Sequence, residues 1–130
     1  MTFTSEEIKR FEVDSNDEWQ YPDYGSTKAS VMILCDEDID KRVCSFFNYR
    51  LEDVNENGWI DVYAMIDVVE KKVTSIFFNI ITNFDEKLDR ELEIKITNNI
   101  EAEEMYRQFA TANGFEEFIE DARKAWQDSE

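Results

Sequence analysis

Two long runs rich in β-branched and aromatic residues, 43–51 and 59–69, flank the polar stretch Glu52-Asp53-Val54-Asn55-Glu56-Asn57-Gly58. Two strand-like runs joined by a turn that contains Asn-Gly predict a β-hairpin. Alternation along the second run places Ile60, Val62, Ala64, Ile66 and Val68 on one face, expected to be core. Trp59, Asp61, Tyr63, Met65, Asp67 and Val69 take the other face. In the first run, Val43, Ser45, Phe47, Tyr49 and Leu51 would share a face opposite Cys44, Phe46, Asn48 and Arg50. Upstream, Ser30-Val31-Met32-Ile33-Leu34-Cys35 reads as a short buried strand, and the carboxylates of Asp36-Glu37-Asp38-Ile39-Asp40 read as the loop that ends it.

Downstream, Glu70-Lys71 predicts a tight turn into a strand over 72–81. A loop at Asn83-Phe84-Asp85-Glu86-Lys87 leads to a strand over 91–97, with Leu92, Ile94 and Ile96 inward and Glu91, Glu93 and Lys95 toward water. Two helices close the pattern. Asn98 or Asn99 caps the first, which aligns Ala102, Met105, Tyr106 and Phe109 and stops at Asn113-Gly114. The second carries Phe115, Phe118, Ile119, Ala122, Ala125 and Trp126 on one stripe. Residues 1–29 read as an irregular arm: a short helix at 5–11, a break at 14–18, then Trp19, Tyr21 and Tyr24 laid over a core edge or offered to a partner. The expected fold is α+β, an antiparallel β-meander of four to five strands with a C-terminal helical pair packed on one face. One domain is expected over 1–130, with its sheet in 30–97 and its helices in 98–127.

Composition changes the functional picture more than the structural one. The 130 residues carry a net charge of -17 with no histidine, spread along the whole chain rather than held in a tail. Such a charge opposes direct binding to nucleic acid or to an anionic membrane and favours a basic partner. Met1-Thr2-Phe3-Thr4-Ser5-Glu6-Glu7 has neither a basic nor an apolar signal region, so a cytoplasmic setting is expected, with Cys35 and Cys44 reduced and acting as small hydrophobes. No phosphate-binding glycine loop or nucleophile elbow is present, and a chain without histidine has no imidazole base. Asp61 and Asp67 are the best carboxylate pair for acid–base work, weighed against a solvated sheet face, and a non-enzymatic protein without cofactors is expected.

Asp53, Asn55, Asn57, Gly58 and Asp61 match the first nine positions of a calcium loop, but position 12 is Ala64 where a bidentate Glu is needed. A calcium-binding module therefore stands as an alternative to a plain hairpin turn. The leading expectation is a small acidic inhibitor that occupies a basic, nucleic-acid-binding surface of a larger protein. Phage anti-CRISPR and anti-restriction proteins have this physical profile, as do immunity proteins that neutralise nuclease toxins. Three acid clusters are the candidate contacts: Asp36, Glu37, Asp38 and Asp40; Glu52, Asp53 and Glu56; and Glu116, Glu117, Glu120 and Asp121. Trp59 and Tyr63 are candidate anchors beside the second, or a surface for a homodimer together with Met65 and Val69. Glu91 and Glu93 stand about 6.6–7 Å apart on one strand face, a spacing close to that of successive phosphates.

Overall fold

The computed structural model describes residues 2–23, 25–83 and 85–128; Tyr24 of the arm and Phe84 of the 83–87 loop lie outside them. Helix α1 (Ser5–Ile8) opens on a capping box in which Thr4 and Glu7 exchange side-chain and backbone hydrogen bonds. Strands β1 (Glu12–Val13), β2 (Lys28–Leu34), β3 (Gly58–Asp67), β4 (Lys72–Thr82) and β5 (Arg90–Lys95) form one antiparallel sheet in that order. Helices α2 (Glu37–Phe46) and α3 (Leu51–Asn57) are inserted between β2 and β3, and α4 (Asn99–Phe109) and α5 (Phe115–Asp128) follow the sheet. The α+β architecture and the C-terminal helices agree with the sequence pattern.

The central hairpin does not. Residues 43–51 belong to α2, its exit and the start of α3, not to a strand, and the polar stretch expected as a turn is α3 itself. The physical reason begins at Asp36, whose carboxylate accepts the Ile39 amide at 3.1 Å and caps α2. The acids expected to break the chain fill the first helical turn, where the exposed backbone N–H groups favour negative charge. Ile39, Val43 and Cys44 are buried together, a helical spacing. After Phe47, Asn48 takes φ 62; its N–H reaches Ser45 O at 3.0 Å and the Tyr49 N–H reaches Cys44 O at 2.8 Å. Those two bonds form a Schellman stop with Asn in the left-handed position. The hairpin that does exist joins β3 and β4: Asp67 accepts the amides of Val69 and Glu70, and Lys71 takes φ 58.

One face of the sheet is core. Val62, Ala64 and Ile66 of β3, Ile76, Phe78 and Ile80 of β4, and Ile94 of β5 are buried in one cluster with Leu51, Val54, Met105, Phe109, Phe115 and Ile119 from the helices. Asn98 caps α4 through the Glu101 amide, and Gly114 takes φ 81 between α4 and α5, as the pattern indicated. In the arm, the backbone of Gln20 bridges to Ser30 of β2. Trp19 packs edge-on to Phe115 and Phe118, and Tyr21 stacks on Phe118 with ring centroids 5.2 Å apart. Trp19 packs against the core, while Tyr21 remains 52% exposed.

Candidate partner-binding surface

The three acid clusters fall on three helices. On α2, Asp36 also pairs with Arg10 at 2.7 Å, Glu37 pairs with Lys41 at 3.3 Å, and Asp38 is exposed. Asp40 turns inward, and its carboxylate accepts the Cys35 thiol at 3.1 Å. Burial raises the Asp40 pKa; the thiol hydrogen bond opposes that, and the charges of Asp36 and Glu37 reinforce it. Burial and the same carboxylate push the Cys35 thiol far up, so it stays protonated and unreactive. On α3, Glu52, Asp53 and Glu56 are exposed, with Glu52 loosely paired to Arg50 at 3.8 Å. Burial raises the pKa of the Cys44 thiol, and the charges of Asp40 and Glu52 add to it. On α5, Glu116, Glu117 and Asp121 are exposed and Glu120 pairs with Arg123 at 3.2 Å. Burial raises the Tyr106 hydroxyl, helped by Glu116 and Glu120.

Trp59 and Tyr63 lie on β3, with Trp59 two residues beyond the end of α3. Both sit on the sheet face turned away from the buried one, as the alternation along β3 requires. Register builds that face row by row. Asp61, Asn79 and Glu91 are direct partners across β3, β4 and β5, and Tyr63, Phe77 and Glu93 form the next row. Tyr63 and Phe77 stack with centroids 4.9 Å apart and planes within 6°. Glu93 accepts the Ser75 hydroxyl at 2.9 Å. Burial raises the Tyr63 hydroxyl and Glu91 and Glu93 add to the shift, which Asn79 opposes. The Asn79 Oδ1 is buried and has no donor among the described residues. Along the β2 side, Glu18 and Asp23 of the arm border a shallow cavity of about 400 Å³ over Met32, Asp61 and Tyr63.

The geometry changes two other expectations. Asp53, Asn55 and Asn57 lie on helical backbone, with the Asn57 amide donating to Asp53 O at 2.9 Å, while Asp61 lies on β3. A calcium loop needs those oxygens to converge from an irregular turn; here helix replaces it, and no group of three or more Cys, Asp or Glu side chains is placed for a metal among the described residues. Asp61 and Asp67 share a face, but six residues of strand hold them roughly 20 Å apart. Two-carboxylate hydrolysis uses separations of about 5–9.5 Å, and Asp67 is engaged by the Thr27 hydroxyl as well as the two turn amides.

The cross-strand rows could not be read from the chain alone. The alternation in 59–69 and 91–97 identified which residues face outward, and the expected meander placed the 72–81 strand between them, but neither told which residues pair. Among the described residues no helix is long and apolar enough to cross a membrane. Comparison of the chain with protein-family models, curated proteins and solved structures finds no match.

Proposed function

We propose that the protein is a small, non-enzymatic antagonist that binds a basic, nucleic-acid-binding surface of a larger protein, in the manner of anti-CRISPR and anti-restriction proteins. The observation that supports this reading is the unneutralised charge of an ordered surface. Asp38, Asp53, Glu56, Glu116, Glu117 and Asp121 are held on regular helices without a cationic partner among the described residues. Like charges at i,i+4, as in Glu52 and Glu56 or Glu117 and Asp121, cost about 0.2–0.5 kcal/mol each. Solubility alone needs a net charge of only about 2–8, well short of the -17 carried here. A fixed negative field accelerates encounter with a positive surface and loses that advantage in salt. An immunity protein against a nuclease toxin would present the same chemistry to a different basic partner.

The test is capture of partners from an extract on the immobilised protein, at low and at high salt, with and without added duplex DNA. Basic nucleic-acid-binding proteins that bind at low salt, elute at high salt and are displaced by DNA are the expected result. Retention that neither salt nor DNA changes would refute the reading.

A further inference from the structure

We infer that the uncovered sheet face, not the acid-rich helices, is where the partner docks, and that its occupant is an arginine-bearing segment of another protein. The inference rests on the reading above and narrows it to one site. On this face the row of Asp61, Asn79 and Glu91 lies between Trp59 and the Tyr63–Phe77 pair, with Glu91 and Glu93 along the β5 edge. The Tyr63–Phe77 stack lies at the centre, and Trp59 and Leu34, 45% and 52% exposed, lie toward one end. Asp61, Glu91 and Glu93 stand over that half in the two cross-strand rows.

The groups offered are the complement of a guanidinium. Arginine has five N–H donors and no acceptor, and its flat cation stacks on aromatic rings. Asp61 and Glu91 offer carboxylates that have no hydrogen-bond or ion-pair partner among the described residues, one on either side of Asn79. The Tyr63–Phe77 pair supplies the adjoining aromatic surface. Lys95 lies toward the opposite end of the face, beside Ser75, whereas Lys28, beside Asp67, also lines the cavity over Asp61 and Tyr63, where Glu18 and Asp23 accompany it. On the helices, Arg10, Lys41 and Arg123 pair with Asp36, Glu37 and Glu120, and the acids left unpaired there supply the long-range field rather than the docking contacts. A second copy of this chain is a poor occupant, because its own Asp61, Glu91 and Glu93 would be brought against these.

Titration with an arginine-rich peptide and a lysine-rich peptide of equal length and charge, read by calorimetry and by NMR shift mapping, tests this. The expected result is tighter binding of the arginine peptide, with shifts centred on Asp61, Tyr63, Phe77 and Glu91. The triple variant D61N/E91Q/E93Q should weaken it about tenfold or more, as loss of central contacts does. The control E116Q/E117Q/D121N removes the same charge from α5 and should weaken it by less than about threefold, a field effect alone. Tyr63→Leu should remove the preference for arginine, and equal thermal melting of the variants shows that each is folded. Equal losses in the two triple variants, or shifts centred on α2 or α5, overturn the docking face and leave the antagonist reading standing. Failure of the wild-type protein to bind either peptide at low salt overturns both. A homodimer that Trp59→Ala dissociates would show that a second copy takes the face, and would overturn the inference alone.

Discussion

Gly58 joins α3 directly to β3 with no intervening loop, and replacing it by Ala tests whether that junction depends on close backbone approach. Its φ of 179 is ordinary extended backbone, so conformational freedom is not why glycine is there. A Cβ at this position would run into the Ile81 carbonyl oxygen, with the Ile81 carbonyl carbon and the Thr82 Cα each 2.9 Å away. Carbon atoms rest about 3.5–4.0 Å apart, so β4 would have to retreat by roughly 1 Å. That movement strains the Gly58–Thr82 pairing and the adjoining bond from the Asn83 N–H to Asn57 O, now 2.8 Å. Overpacking of this kind costs about 1–3 kcal/mol, and loss of a ladder hydrogen bond adds about 1 kcal/mol. A total near 3 kcal/mol corresponds to a fall in Tm of roughly 10 °C for a chain of this length. Gly25→Ala is the control: it has φ 79 and open space around the added methyl, so only left-handed strain of about 1–2 kcal/mol applies. Urea and thermal unfolding of both variants provide the measurement. A G58A protein within about 0.5 kcal/mol of wild type would refute the steric account.

Two further substitutions probe the α2 start. Asp36→Ala removes the cap of α2 and the Arg10 pair and should cost about 1–2 kcal/mol, most of it from the cap; Asp36→Asn, which keeps the cap, should recover most of that loss in urea unfolding. Asp40 has its folded pKa raised, chiefly by burial, so the folded state holds that proton more tightly than the unfolded one, and its stabilising contribution declines as pH rises from the ordinary carboxylate range through the folded value. Asp40→Asn should therefore be more stable than wild type at neutral pH, with the advantage shrinking as acidification passes through that window and gone below it; unfolding curves across pH that show a constant difference would contradict the assignment.

The sequence pattern located most of the sheet because β3, β4 and β5 alternate or run apolar over their whole lengths, a signal tied to burial. The α4 and α5 stripes were legible for the same reason, and Asn98 and Gly114 marked their boundaries. Residues 36–57 were misread because local preference and tertiary context disagree there. Val43, Phe46, Phe47 and Tyr49 favour strands by propensity, yet Cys44 is buried next to Val43 and Phe46 is exposed, a combination that alternation forbids. The readable clue was Asp36 followed by acids, which is a helix start as well as a repulsive run. Repulsion there is offset by Arg10 and Lys41, and Arg10 comes from a segment far away in sequence. The same limit applies to the sheet face. Asp61, Asn79 and Glu91 lie in three separate segments, and only the pairing register brings them into one row.

The insertion of α2 and α3 between neighbouring strands also bears on the order in which the sheet assembles. Pairing β2 with β3 requires closing residues 35–57, whereas pairing β3 with β4 requires closing only residues 68–71. By loop length alone the first closure costs about 1.5 kcal/mol more chain entropy than the second, and it yields its contacts only after two helices have formed. The β3–β4 hairpin, later joined by β5, is the cheaper nucleus, and β2 is the late arrival with its helices as the tether. The rows proposed to hold an arginine therefore lie wholly within the part of the sheet that closes most locally, with the arm and β2 bordering them on one side.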